Sequence, residues 1–518
     1  MLQRQERLLN AIVLFFILAG IVFTYLPEIH NGHYRIDDYL FLSQVTQHGL
    51  AKSLLIPWRN HFLPLYRLLM GGLHLVFENA VPLRLAIVGF HLINTYLIFR
   101  IVRAQTESVI LSAIGSATFC FAFPAVHCID NCINGHWVTS LTFILLMSIY
   151  FEKFFTSCVN SGNEGTDDHT SACRACFPPS KYFYLGLLSF TIGLGFFTTA
   201  FFGGVVIWLF LLARLSFKEG IKGILQNHAR IMLAFFSIAL IYLILRTYLN
   251  DRYFPLQDTT FQGGSLKPPL PSEEKMLVIK GLWPEFYLYA ARLLVPYFPQ
   301  HYPWVYMFLS ALMAKELLYR RKQATFAAAW LVFGLLTLAL TAFGRIFYVL
   351  GLLGNVHYAL APWYFYYPAA GVSIALGLLL RLPPSLEKIA AKSSKGMCVA
   401  LLGMTLALLT VFNYNNMRTA RNVIDGWMKE DLKFSRLVTQ YRDSMTSFLG
   451  SPDYSSDGEY YFVDSLAAPA PEYRSGWFVM QHNLFQFYFP RFRNISFVGE
   501  QQEKPDMYLW TPQAVSRR

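Results

Sequence analysis

The chain has 518 residues, of which 55% are hydrophobic, 17% aromatic and only 14% charged, with a formal net charge of +12 and a mean hydropathy of +0.38. Soluble chains carry about 25% charged residues, so this composition excludes an ordinary soluble enzyme, a disordered chain and a disulfide-stapled secreted module. Its basic residues fall in short patches between apolar runs, a pattern that sets membrane orientation, and nucleic acid is therefore not expected as a partner.

The first apolar run, Leu8 to Tyr25, follows Arg4 and Arg7 and is too long for a signal-peptide core. It reads as a retained helix with its N-terminus in the cytoplasm. Further spans are expected near Ile93, Ile114, Leu145, Leu188, Ile207, Ala239, Leu309, Leu335, Ala375 and Leu406, about eleven in all. The loops this assigns to the inside hold 19 Lys and Arg, and the longer loops assigned outside (27–83, 124–136, 248–301, 344–361) hold 10. That bias places the N-terminus inside and the C-terminus outside. Segment 277–298 is apolar but carries Glu285 and Arg292 and is broken by Pro284 and Pro296, so it is expected outside, as an interfacial or re-entrant helix.

The first outer loop, 27–83, carries Asp37-Asp38 just beyond the first span, and then Trp58-Arg59-Asn60-His61-Phe62-Leu63-Pro64-Leu65-Tyr66-Arg67. A carboxylate beside an apolar membrane surface is costly to ionise and can be tuned to a general base, or can hold a divalent cation. The alternative is that the Asp pair only caps the following helix, since Asp is a favoured cap. Apolar residues at helical spacing on both sides of this loop predict amphipathic helices lying on the membrane.

The second outer loop, 124–136, holds one acid, Asp130, with His127 and His136 and no Lys or Arg. Asp130 can face the same cavity as the first loop, or the segment can be a solvated turn. Cys128 and Cys132 would lie in an oxidising compartment, where a small disulfide is one option. On the long inner loop, Cys158, His169, Cys173 and Cys176 supply four ligand types for zinc, against the alternative of a flexible loop.

From Asn413 the composition changes: the tail holds 12 basic and 12 acidic residues, so the whole +12 lies in the membrane region. Helical spacing over Met417–Phe448 and strand-like runs at Tyr460–Val463, Trp477–Met480 and Ile495–Val498 predict a small α/β domain. The expected protein is therefore mainly α and polytopic. Residues 1–413 form a transmembrane domain with interfacial helices in its first outer loop, and 414–518 form a C-terminal α/β domain outside the cytoplasm.

Four stretches carry a resemblance: Asp37-Asp38-Tyr39 just after the first span, His61-Phe62-Leu63-Pro64-Leu65-Tyr66-Arg67-Leu68, Leu83-Arg84-Leu85 leading to His91-Leu92-Ile93-Asn94, and Pro124 through His127 to Asp130. Together they resemble the GT-C superfamily of polytopic glycosyltransferases, which use polyprenyl-phosphate sugars and include protein O-mannosyltransferases and lipid A aminoarabinose transferases. A looser likeness covers Ala361-Pro362-Trp363-Tyr364-Phe365-Tyr366-Tyr367-Pro368. The resemblance implies Asp37 or Asp38 as catalytic base and Asp130 as the second-loop acid. It implies a polyprenyl-phosphate-linked sugar as donor and a lipid, glycan or protein as acceptor. Relatives often place an Arg just before the Tyr-rich run, where this chain has Pro362-Trp363. Candidate substrate and phosphate contacts are then Arg59, His61, Arg67, His127, Arg345 and His357. A bacterial inner membrane fits the loop lengths at least as well as an endoplasmic reticulum. A transporter or lipid flippase, and a non-catalytic envelope scaffold, are the competing readings.

Overall fold

The computed structural model describes residues 17–26, 29–30, 33–58, 61–161, 181–253, 302–353, 362–381, 435–464, 484–492, 494–499, 507–510 and 515–517, with scattered positions elsewhere. For 158–161, 205–230 and 342–353 it describes the backbone alone. The helices are α1 (Ile17–Leu26), α2 (Ile36–Ser53), α3 (Pro64–Phe77), α4 (Val81–Thr106), α5 (Val109–Cys120), α6 (Phe123–Asp130), α7 (Gly135–Ser161), α8 (Lys181–Phe196), α9 (Ala200–Tyr253), α10 (Tyr302–Tyr319), α11 (Arg321–Leu353) and α12 (Tyr366–Leu379). A further helix, α13, covers 435–449.

Among the described residues four helical stretches are long and apolar enough to cross a membrane: Val81–Thr106, Cys132–Ser157, Ile231–Tyr253 and Arg321–Ala339. A fifth would be the pair Val109–Cys120 and Pro124–Asp130, bent by 50°. Helices occupy every expected span centre inside the described residues, and Leu406 lies outside them. α5, α8 and α12 have 12, 16 and 14 residues, about 18–24 Å of rise, short of a hydrocarbon core of about 30 Å.

One expectation is corrected. Spans near Ile207 and Ala239 were expected to be separated by an inner loop carrying Arg214, Lys218, Lys222 and Arg230. The structure instead runs one 54-residue helix, α9, through all of it. No proline interrupts 200–253, and the Lys, Glu, Gln and Arg residues that signalled a loop are also good helix formers, so the polar stretch continues the helix. Among the described residues, 231–253 of α9 is long and apolar enough to be a span. There it exposes Leu233, Phe236, Ile241 and Ile244, as a lipid-facing surface requires.

The bundle closes around α12, all of whose residues are buried. Glycines permit that burial. A Cβ on Gly115 would stand 2.9 Å from the Ser373 carbonyl oxygen, one on Gly377 3.0 Å from that of Leu111, and one on Gly371 would overlap the Trp330 carbonyl. Backbones of α5 and α11 thus approach α12 as closely as small-residue helix contacts allow.

Between α1 and α4 the segment expected as the first outer loop forms the helix pair α2–α3. Arg35 caps α2, and Asp38, its third residue, closes a capping box by accepting the Arg35 backbone N–H. Pro64 opens α3, where its missing N–H is not needed. α3 buries Arg67 and His74 and exposes Leu68, Leu75, Val76 and Phe77, the inside-out pattern of a helix against lipid.

The C-terminal part is a four-stranded mixed sheet in the order β2-β1-β3-β4. β1 (Tyr460–Asp464) runs parallel to β2 (Ile495–Gly499) and β3 (Met507–Trp510), and β4 (Val515–Arg517) pairs antiparallel with β3. Of the expected strands, Tyr460–Val463 and Ile495–Val498 appear nearly to the residue; Trp477–Met480 lies outside the described residues. α13 packs on the sheet through Phe448, whose ring lies 5.4 Å from Phe462 and 5.0 Å from Tyr508. Between β1 and β2 the residues 484–488 form a helical turn that reaches back to the first outer loop. Thr46 Oγ1 donates to the Gln486 carbonyl at 3.3 Å, and Ser435 Oγ stands 2.9 Å from His33 Nδ1. The C-terminal module and the first outer loop therefore share one side of the helical bundle.

Candidate functional site

Where α1 leads into α2, the first outer loop meets the second. Asp38 is fully buried, and its two oxygens accept three backbone N–H groups: Oδ2 from Arg35 at 2.9 Å and Cys132 at 3.3 Å, Oδ1 from Ile133 at 2.6 Å. Burial pushes its carboxyl up from 3.8 to about 6, with the Arg35 and Ile133 N–H groups and the Arg84 charge opposing. Asp38 therefore does the capping work that was the alternative for the Asp pair, and it also clasps the 3-10 turn Cys132–Asn134 of the second loop. Asp37, beside it in the first turn of α2, is half-buried.

Asp130, at the end of α6, is 2% exposed and forms an ion pair with Arg35, Nη2 to Oδ2 at 2.7 Å. Arg84, fully buried near the start of α4, donates from Nη2 to the Asp130 carbonyl at 3.0 Å. Half-buried His127, one turn earlier in α6, stands with its ring 6.3 Å from that of Trp363. Asp37, Asp38, Asp130 and His127 are thus brought together from two loops 94 residues apart.

The other expected contacts are placed differently. His61 makes a reciprocal backbone bridge with Trp58 at 2.7 Å and faces Phe197, ring centroids 5.2 Å apart. Arg67, 1% exposed, lies with its guanidinium 4.2 Å from the centroid of Phe41, one helical turn along α2 from Asp38. Among the described residues neither terminal nitrogen of Arg67 has a hydrogen-bond acceptor, and burial lowers its value to about 9. Arg59, His357, His169, Cys173 and Cys176, and the side chains of Arg345 and Cys158, lie outside the described residues.

Cys128 and Cys132 are buried and are not joined by a disulfide, which corrects the disulfide option. Cys132 opens the 3-10 turn whose N–H groups are held by Asp38, so its position is set without a crosslink. Among the described residues no three His, Cys, Asp or Glu side chains gather as a metal ion would need. Both Asp38 oxygens are engaged by backbone N–H donors, and the Arg35 cation is paired with Asp130.

Three participants were not assigned from the sequence. Arg35 had a signal, as a basic residue directly before the Asp pair. Arg84 was seen only as part of Leu83-Arg84-Leu85, and Trp363 only as a departure from an expected Arg.

No protein-family profile matches this chain, and no curated protein matches it. Among solved structures it is similar to the Archaeoglobus fulgidus oligosaccharyltransferase, crystallised with a tethered acceptor peptide containing the NVT sequon, with 10% identity and a TM-score of 0.41. That alignment covers 95% of this chain, which spans 64% of the length of the archaeal enzyme.

Proposed function

We propose that this chain is a polytopic GT-C-type glycosyltransferase, moving a sugar from a polyprenyl-phosphate donor to an acceptor hydroxyl on the non-cytoplasmic face of the membrane. The observation that carries the reading is the convergence of Asp37, Asp38 and Asp130 from two loops at the mouths of apolar helices, tied by the Arg35–Asp130 pair. A donor whose lipid stays in the bilayer presents its headgroup at that level.

The three carboxylates divide the work. Asp38 and Asp130 are buried, whereas Asp37 is half-buried and is the carboxylate of the three that an acceptor hydroxyl reaches, so Asp37 is the base. As the acceptor oxygen bonds to the anomeric carbon, its proton passes to Asp37, and the bond from that carbon to the phosphate oxygen breaks, leaving polyprenyl phosphate. The leaving phosphate gains negative charge, which a preorganised cation stabilises. Arg67, cationic and without an acceptor among the described residues, is the best placed of the expected phosphate partners. His127 and Trp363 form the half-exposed wall beside Asp130.

The test is mass spectrometry of envelope glycolipids and glycoproteins from a deletion strain, complemented with wild type or with Asp37→Asn. A sugar-sized mass increment restored by wild type and not by Asp37→Asn supports the reading. An unchanged glycan profile in the deletion strain sinks it. The bend between α5 and α6 favours transport as the second reading, since transporters build sites from broken helices. Movement of labelled substrate into vesicles without covalent transfer would select it.

A further inference from the structure

The turn that carries Arg35, Asp37 and Asp38 is bracketed by two aromatic residues, Tyr34 and Tyr39, and both are covered by the C-terminal module. The Phe487 ring sits with its centroid 5.0 Å from Tyr39 at 89°, 5.0 Å from His74 at 34° and 6.4 Å from Tyr34 at 71°. Aromatic rings at such separations attract one another beyond the effect of area burial alone. The Tyr39 and Tyr488 hydroxyls also share a hydrogen bond, and the Tyr488 ring lies under Arg442 of α13.

Behind this contact, Phe485 joins the turn to the sheet, its ring 5.7 Å from Phe497, which in turn lies 5.8 Å from Phe462 of β1. On the receiving side the seat is itself fixed. The Tyr34 hydroxyl donates its one proton to the Asn79 carbonyl at 2.8 Å, so the His74 Nδ1–H at 3.2 Å is the donor to the Tyr34 oxygen. Tyr34, Tyr39 of α2, His74 of α3 and a segment more than 400 residues further along the chain thus meet at the Phe487 ring.

The geometry points to Phe487 as a positioning residue: seated between Tyr34, Tyr39 and His74, it holds the turn that presents Asp37, so that the C-terminal module is a working part of the first-outer-loop site. This rests on the proposed glycosyl transfer for its catalytic consequence, while the mechanical consequence stands by itself. Without the Phe487 ring, the N-terminal turn of α2 keeps its Asp38 clasp on one side and loses its packing on the other. Asp37, on the half-exposed side, gains freedom first.

The experiment uses the full chain in detergent or nanodiscs, with Phe487→Ala, the conservative Phe487→Leu, Tyr488→Phe, and Tyr454→Phe as a control. The control removes a hydrogen bond to Asn494 at 2.9 Å inside the C-terminal module and touches no first-loop residue. Hydrogen exchange read by mass spectrometry should speed up over 36–42 in Phe487→Ala while α13 stays protected. Phe487→Leu should restore most of the protection, and Tyr488→Phe should give a smaller change in the same direction. Sugar transfer from a polyprenyl-phosphate donor should fall by about a hundred-fold in kcat with little change in donor KM, the expected size for a misplaced catalytic group. Unchanged exchange over 36–42 in Phe487→Ala, or the same pattern in Tyr454→Phe, overturns the proposal. If wild type transfers no sugar while the exchange pattern appears, the positioning stands and the proposed reaction falls.

Discussion

Arg35 Nη2 lies 2.7 Å from Asp130 Oδ2, with the carboxylate 2% exposed and the arginine side chain 23% exposed. The pair joins the cap of α2 to the end of α6, so it sets how the two outer loops meet. Removing one partner of such a pair leaves a charge buried without compensation, an effect of about 3–5 kcal/mol. Arg35→Ala should therefore lower the thermal midpoint clearly, and Asp130→Asn somewhat less, because Asn keeps the shape. In a double-mutant cycle, Arg35→Ala with Asp130→Ala should be milder than the sum of the two single changes. Strict additivity would show that the pair is not coupled.

Asp37 and Asp38 should separate cleanly on substitution. Asp38→Asn replaces one acceptor oxygen by a donor facing backbone N–H groups of Arg35, Cys132 or Ile133. Loss of hydrogen bonds to a charged acceptor costs about 1.5–3 kcal/mol, so this variant should melt earlier. Asp37→Asn should leave the unfolding free energy within about 0.5 kcal/mol of wild type and lower transfer by about 10²–10⁴-fold, the usual worth of a general base. Comparable melting losses in both variants, with transfer intact in Asp37→Asn, would reassign the base.

The raised carboxyl of Asp38 has a signed consequence. Its value rises from 3.8 to about 6 on folding because burial disfavours the charge, so the native state holds the proton more tightly than the unfolded chain. The stabilisation this provides is fully present below about pH 3.8 and is lost as pH rises through about 6. Other carboxylates titrate in the same range, so the readout is the difference in melting temperature between wild type and Asp38→Asn from pH 4 to 7. That difference should shift in favour of wild type as pH falls through 6 and be flat above about 7. A difference independent of pH would place the Asp38 carboxyl outside this window.

How much of this could be read beforehand follows from the range of each signal. The helices were legible because apolar runs and flanking charges are local, and so were β1 and β2, short apolar runs between turn residues. α9 was misjudged between 214 and 230 because charge marks exposure, and exposed residues can be helical as readily as looped. β3 and β4, four and three residues long, exist by pairing with β1 and with each other, which no local pattern announces. In the site, the Asp pair stood out by its place beyond the first span. Its division of labour did not, because the N–H groups of Cys132 and Ile133 that occupy Asp38 are 94 and 95 residues away. Phe487 was invisible for the same reason.

A second polar arrangement, inside the bundle, is structural and can be tested as such. His91 Nε2 is 3.1 Å from the Cys120 carbonyl, so that nitrogen carries the proton, and Nδ1 accepts from the Tyr366 hydroxyl at 2.8 Å. Asn94 Nδ2 donates to the Tyr366 oxygen at 3.2 Å and to the Val138 carbonyl at 2.9 Å, and its Oδ1 accepts from Thr142 at 2.7 Å. Each donor named in this network has an acceptor, and the network staples α4, α5, α7 and α12. Tyr366→Phe should lower stability by about 0.6–2 kcal/mol, the range of hydrogen bonds between membrane helices, measured by unfolding in mixed micelles. A neutral result would mean that water or backbone replaces the hydroxyl.

A close backbone approach between α11 and α12 yields the last prediction. A Cβ on Gly371 would overlap the Trp330 carbonyl carbon and oxygen, and one on Gly334 would stand 2.9 Å from Pro368 Cα. These obstacles are backbone atoms, so no side-chain rotation relieves them, and α11 and α12 would have to separate. Because α12 is buried over its whole length and packs also on α5 through Gly115 and Gly377, a shift away from α11 drives it into Ser373–Gly115 contacts already at their limit. Gly371→Ala should therefore lose more than the about 1–3 kcal/mol typical of overpacking and should reduce the folded yield from membranes. Gly72→Ala is the control: nothing lies within 4 Å of its added Cβ, and in the middle of α3 it should be neutral or stabilise by about 0.4–1 kcal/mol. Equal yields for the two variants would show that α11 and α12 do not pack as closely as this geometry requires.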